Sequence, residues 1–272
     1  MRKTAFANFK GGVGKTTAAV NVATALRDEL RQTDPDARVL LADADSQAGA
    51  TALLTGRSPS DYEATLAKVL AGEYSLDEAL VRLDDPASGL DEEAQAAWGG
   101  IDLIPSNPES KIRVAGPEDF WQLRDLLDDP SLPYSHAILD CGYGDTDLTT
   151  LALVASDEIV VVTTVTALGV NGLEQLVGKV AKMRRSFPHL RIGGVLANDF
   201  SARETADQNV LDDMTKSLGE LLWSPAIPHR AIVKRSHDAR LPLSVFKVPA
   251  ARALVEIYAS VALRLAPLEV PA

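Results

Sequence analysis

Two periods of apolar residues alternate along this chain of 272 residues. Short apolar runs at positions 4–8, 38–43, 101–107, 135–140, 157–163 and 191–198 read as buried strands. Between them, apolar residues recur every three or four positions, as on one face of a helix. Val20, Ala23, Leu26 and Leu30 form one such stripe, and Leu173, Leu176, Val177, Val180 and Met183 another. Helices are also expected over 58–72, carrying Tyr62, Leu66, Val69 and Leu70, and over 75–83, where Ser75 and Glu78 have capping-box spacing. Further helices are expected over 120–127, 148–155, 203–221 and 249–266, the last stopped by Pro267. Residues 84–100 are acidic and weakly patterned, and read as a surface loop with one helical turn near Glu92–Trp98. Strands and helices alternate from end to end, with no repeat and no low-complexity linker. That order predicts an α/β fold: a single domain over 1–272, with one doubly wound, mostly parallel sheet and helices on both faces.

Composition narrows the class. With 46% hydrophobic and 24% charged residues, the chain can bury a sizeable core. No run reaches the roughly 18 apolar residues of a membrane helix. The first strand starts almost at once, leaving no room for a signal peptide. The single cysteine, Cys141, excludes a disulfide framework and a multi-cysteine metal site, and is expected to be a small packing residue. A cytoplasmic protein is expected. The net charge of −11 argues against a body-wide basic surface for nucleic acid, while allowing a local basic patch.

The chemistry-bearing stretch is Lys10-Gly11-Gly12-Val13-Gly14-Lys15-Thr16-Thr17, between the first strand and the first helix. Glycines let backbone N–H groups close around phosphate oxygens, and the helix N-terminus adds unpaired donors and a positive dipole end. Lys15 would supply charge at the β- and γ-phosphates, and Thr16 a hydroxyl on Mg²⁺. The usual phosphate-loop pattern has a glycine where this chain has Phe9, and a second lysine, Lys10, opens the loop instead. The alternative, a glycine-rich turn without a ligand, would concentrate two lysines to no purpose. In this form the loop resembles the deviant Walker A motif of the ParA/MinD family of ATPases.

The resemblance extends over nearly the whole chain. Asp43-Ala44-Asp45-Ser46-Gln47 is similar to the family's second motif, with Ser46 in place of its proline. It implies that Asp45 orients the attacking water and that Asp43 supports the Mg²⁺ shell. The strand ending in Asp140 resembles the Walker B strand, which implies that Asp140 holds Mg²⁺ through water. The family's prolines after that strand are replaced by Gly142-Tyr143-Gly144-Asp145. Asn198 matches an asparagine that faces the adenine ring, and Pro228 lies in a segment similar to one lining the adenine pocket. Arg230, Lys234, Arg235, Arg240 and Lys247 concentrate positive charge near that segment. In partition ATPases a basic surface in this part of the chain contacts DNA without sequence preference, through phosphates.

The resemblance implies a slow ATPase for plasmid or chromosome segregation. ATP and Mg²⁺ would close two subunits into a homodimer, with each Lys10 reaching the other subunit's nucleotide. Gly11, Gly12, Val13, Gly14, Lys15, Thr16 and Thr17 would bind the phosphates. The ATP-bound form would sit on the nucleoid by binding nonspecific DNA, and a ParB-like centromere-binding protein would stimulate hydrolysis. Three other readings stay open on sequence alone. One is a MinD-like membrane-associated positioning ATPase, against which the last helix lacks a basic amphipathic face. Another is a metabolic or metal-carrier enzyme on the same scaffold. The third is a scaffold that binds ATP and barely hydrolyses it.

Overall fold

The computed structural model describes residues 1–109, 111–144 and 146–266. Asp145 and Pro267, singled out above, lie outside the described residues. One sheet of eight strands runs through the molecule: β1 (Arg2–Ala7), β2 (Val39–Ala44), β3 (Val81–Arg82), β4 (Ile101–Ile104), β5 (His136–Cys141), β6 (Glu158–Thr164), β7 (Ile192–Asn198) and β8 (Leu222–Trp223). Their spatial order is β3-β4-β2-β5-β1-β6-β7-β8. Every pairing is parallel except β3 with β4. The helices are α1 (Lys15–Leu30), α2 (Gly49–Thr55), α3 (Leu66–Leu70), α4 (Leu76–Ala79), α5 (Glu92–Trp98), α6 (Gln122–Leu127), α7 (Asp147–Ala155), α8 (Ala167–Met183), α9 (Thr205–Leu218), α10 (Ala231–Ala239) and α11 (Pro249–Leu265).

The strands are apolar on both sides because both sides are covered. The period of two sends Phe6, Val39, Leu41, Ile138, Val160 and Val162 into a layer with Leu26 of α1, Leu54 of α2, Trp98 of α5 and Leu254 and Tyr258 of α11. Their neighbours Ala5, Ala7, Leu40, Ala42, Leu139, Ile159 and Val161 enter the opposite layer with Leu66 of α3, Leu123 of α6, Leu151 of α7, Leu173 and Leu176 of α8, and Met214 of α9. Each fully buried leucine contributes about 1.5–3 kcal/mol of hydrophobic stabilisation. The doubly wound α/β fold expected from the alternating pattern is the fold observed.

Several local expectations differ. The run over 58–72 holds only a 3-10 turn at Pro59–Asp61 and the five-residue α3. The capping box of Ser75 and Glu78 forms as expected, but its helix is one turn long, and β3 follows as an antiparallel edge strand. The helical turn expected near Glu92–Trp98 is α5, but the 84–100 segment is anchored at its end: Trp98 is buried and its indole N–H donates to the Arg240 carbonyl at 3.0 Å. Helices α2 and α10 and strand β8 were not anticipated. Cys141 is buried, consistent with a packing role.

His136 is buried at the start of β5, with Nδ1 2.9 Å from the Ser135 hydroxyl and Nε2 3.3 Å from the Leu265 carbonyl. Burial pushes its pKa down to about 4. Unfolded, it titrates near 6.5, so between these values the unfolded chain binds more protons, and stability is lost as the pH falls. From pH 7 to pH 5 this one group should remove about 2 kcal/mol of stability. Buried carboxyls such as Asp43 titrate in the same window with the opposite sign, so the loss is read as a difference: in urea unfolding, the stability of the wild type relative to His136→Gln should fall by about that amount between pH 7 and pH 5. Equal pH dependence of the two proteins would refute the assignment.

Candidate functional site

The chain leaves β1 at Ala7 and turns through residues 8–14 into α1. Asn8 fastens the start of the turn: its Nδ2 donates to the Val162 carbonyl of β6 at 2.7 Å, and its Oδ1 accepts the Lys10 N–H at 2.9 Å. Gly12 and Gly14 have φ of 75° and 92°, which glycine adopts without strain. A side chain at Gly14 would also run into the Asn198 amide, whose Nδ2 donates to the Val13 carbonyl at 2.8 Å. Asn198 therefore braces the loop besides lining the cavity beyond it. No side chain caps α1, so its first N–H groups are left for a ligand.

Lys15 opens α1 with its side chain buried, and its ammonium donates to the Lys10 carbonyl at 3.2 Å. Burial lowers its pKa, while Asp140, Asp45 and Cys141 pull the other way. The Lys10 side chain is exposed and meets no carboxylate among the described residues.

Strand register assembles the carboxylates. Asp43 of β2 and Asp140 of β5 are directly paired across parallel strands. Asp43 shares its pleat parity with Val39 and Leu41, and Asp140 with Ile138, so both project to the face that α1 covers. Both are fully buried. Asp43 accepts the Thr51 N–H at 2.8 Å and the Thr51 hydroxyl at 2.7 Å, and burial still pushes its pKa up to about 7. Neither Asp140 oxygen has a hydrogen-bond partner of good geometry, although Thr16 is close enough to favour the charged form. Burial, and then the Asp43 carboxylate, raise the Asp140 pKa well above the usual range. A buried carboxyl without partners is what a hard cation would relieve. No group of three or more His, Cys, Asp or Glu side chains among the described residues could hold a metal ion without help. That suits Mg²⁺, which keeps water and phosphate oxygens in its shell.

Asp45 stands half-buried at the mouth, its Oδ1 accepting the Gln47 N–H at 2.9 Å. A Cβ at Gly142 would lie 3.0 Å from that oxygen, so glycine at this position gives the aspartate room. The loop after β5 is tied to the phosphate loop by the Gly144 N–H, which donates to the Phe9 carbonyl at 3.2 Å. Gly49, the first residue of α2, approaches Thr16 so closely that a Cβ would lie 3.3 Å from the hydroxyl. Beyond the loop, Thr17, Asn198, Asp199, Pro228, Lys234 and His237 line part of a cavity of about 450 Å³. Ile227, next to Pro228, is held in place by its N–H to the Ala197 carbonyl at 2.8 Å. The structure thus brings residues 10–17, Asp43, Asp45, Asp140, Asn198 and Pro228 to the carboxyl ends of the strands, with Asn198 and Pro228 on this cavity and Asp45 on a separate one of about 380 Å³ with Gly142 and Tyr143. Arg230, Lys234, Arg235, Arg240 and Lys247 are all exposed, on α10, its two caps and the turn after it. They are not all free: Lys234 pairs with Asp238 at 3.0 Å, and Arg235 lies over the Phe246 ring.

A site of this make on a parallel sheet defines a P-loop nucleotide-binding protein, and comparison with known proteins agrees. Residues 1–192 match the family described as AAA domain. The chromosome partitioning protein ParA of Caulobacter vibrioides is 30% identical over 259 residues, covering 92% of this chain and 89% of the relative. The chromosome-partitioning ATPase Soj of Thermus thermophilus is 30% identical over 232 residues, covering 84% of this chain and 81% of the relative. Among solved structures, a cobyrinic acid a,c-diamide synthase from Mycobacterium smegmatis with bound ADP and magnesium superposes with a TM-score of 0.73 at 26% identity, over 97% of this chain and 94% of the other. This chain belongs to the ParA/Soj/MinD family of P-loop ATPases.

Sequence reasoning missed the residues that hold the site from behind. Nothing local reveals that Asn8 reaches β6 or that Thr51 reaches Asp43. The Thr51 hydroxyl also accepts the Ser106 N–H at 2.9 Å. Thr51→Val keeps the shape and leaves that N–H and one Asp43 oxygen short of a partner. It should lower stability by about 1–3 kcal/mol. An unchanged urea midpoint would show that the network carries no stability.

Proposed function

We propose that this chain is an ATP-dependent DNA partition ATPase, and the observation that carries the reading is the orphaned, buried Asp140 carboxylate beneath a loop with two lysines. Thr16 and Asp140 would hold Mg²⁺, with Asp43 supporting its shell. When bound, the ion would offset phosphate charge, the main demand in phosphoryl transfer. The N–H groups of residues 11–17 would wrap the phosphates, and the Lys15 ammonium would turn from the Lys10 carbonyl to the β- and γ-phosphates. Asp45, at the mouth and within reach of solvent, would orient the attacking water. Asn198 and Pro228 would border the base. Lys10, exposed and without a carboxylate partner among the described residues, is suited to reach the nucleotide of a second subunit when two chains close face to face.

The exposed cations around α10 support a charge-driven contact with DNA phosphates, on a body that is otherwise acidic. Hydrolysis would then release DNA, and a ParB-like centromere-binding partner would set its timing. The packing of α11 favours this over a membrane-associated role, because Leu254, Tyr258, Val261 and Leu265 are all buried in the core. No helix among the described residues is long and apolar enough to cross a membrane.

Lys15→Ala and Lys10→Ala should each abolish ATP turnover, measured as phosphate release, and normal turnover in both would overturn the site. Asp45→Asn should keep nucleotide affinity and slow hydrolysis by about 10²-fold or more. Nonspecific DNA affinity in the presence of ATP should fall linearly with salt on logarithmic axes. Arg235→Ala should reduce that slope by about 1. A slope unaffected by any of the five cation-to-alanine changes would place the DNA contact elsewhere.

A further inference from the structure

Helix α10 is bracketed by both halves of the nucleotide site. At its C-cap the Arg240 side chain covers Gly56, where a Cβ would come within 2.6 Å of the guanidinium. Gly56 caps α2, the helix whose Thr51 fastens Asp43. One turn earlier, His237 is half-buried against α1, with Nε2 3.2 Å from the Thr17 hydroxyl. Arg240 is held further by its carbonyl, which accepts the Trp98 indole N–H. The His237 contact is different in kind, because its direction can reverse.

A hydroxyl has one proton to donate, and a neutral imidazole has one donor and one acceptor nitrogen. With no phosphate present, Thr17 can donate to Nε2, provided the ring carries its proton on Nδ1. A phosphate oxygen in the loop only accepts, so it competes for the Thr17 proton. The contact to His237 then survives only if Nε2 becomes the donor. The ring loses its proton from Nδ1 to water and gains one at Nε2, with no change in charge. Burial lowers the His237 pKa, which keeps the ring in the neutral form this exchange needs.

We propose that His237 is a positioning residue that reads phosphate occupancy of the loop through the Thr17 hydroxyl and sets the seating of the cationic helix α10. The inference rests on the nucleotide-binding reading above, and it goes beyond that reading in naming the link. The ring is carried by α10, so the state of this contact sets how firmly the helix is held against α1. Lys234 and Arg235 on that helix, and Arg230 and Arg240 at its ends, move with it.

The test uses the full chain labelled with ¹⁵N-histidine, with ADP and Mg²⁺ as the probe. Amide resonances of residues 11–16 report ADP binding independently. Imidazole ¹⁵N shifts should show the His237 Nε2 unprotonated without ADP and protonated with it. Hydrogen exchange of the amides of residues 231–239 should slow severalfold on ADP addition in the wild type. That response should be lost in His237→Phe, which fills the space without a nitrogen, and return in His237→Gln, whose amide both donates and accepts. An Nε2 that stays in one state while the loop amides report bound ADP would overturn the proposal, as would a full exchange response in His237→Phe. Should that variant fail to fold, the tautomer measurement on the wild type decides. If the loop amides do not respond to ADP, the nucleotide reading fails first and the proposal with it.

Discussion

A carboxyl group sealed from solvent, with no hydrogen bond of good geometry and facing a second carboxyl across two paired strands, is costly to ionise, and its pKa rises until something answers the charge. Asp140 is in that position, and the rest of the site is arranged around it. Asp43 is kept beside it by two bonds from Thr51. Lys15 is buried close enough to be influenced by Asp140 and Asp45, yet among the described residues its ammonium is bonded to a backbone carbonyl and to no carboxylate. Thr16, next to the lysine in sequence, lies close to Asp140. Among the described residues the charges of this site are only partly answered by one another.

That constraint explains why so much of the surrounding structure is bracing. The loop itself is glycine-rich and would lose a large conformational entropy on ordering. Asn8 ties it to β6, Asn198 ties it to β7, and the Gly144 N–H ties it to the segment after β5. Gly172 of α8 comes so near that a Cβ would meet the Asn8 Oδ1 at 2.5 Å. A loop held from several elements can present its N–H groups without first being ordered by the ligand, which is the condition for strong electrostatic binding.

The glycines after Asp140 take on meaning in the same frame. Where relatives are expected to carry prolines, Gly142 leaves space for Asp45, and Gly144 donates its N–H to the phosphate loop. Proline could not make that second bond, since it has no N–H. The exposed Tyr143 lies near Gly11, so the departure from the family pattern couples this segment to the loop by contact. Helix α10 is a comparable case: its basic residues were visible in the sequence, but not the fact that its C-terminal end touches both the loop helix and α2.

The sequence by itself determined the layers, the sheet type and the identity of the phosphate loop. Buried parallel strands and amphipathic helices carry their own periodicities, and the glycine–lysine spacing is local chemistry. The short elements α2, β3, β8 and α10 escaped because tertiary contacts define them: Trp98 is pulled from an acidic, loop-like segment into the core, and β3 pairs only with the edge of β4. Residues joined by register or by long-range hydrogen bonds were equally hidden. Nothing in the linear chain says that Asp43 and Asp140 are neighbours, that Thr51 serves Asp43, or that His237 meets Thr17. Those pairings are set by the order of strands in the sheet and the packing of helices on it, and only the folded chain fixes either.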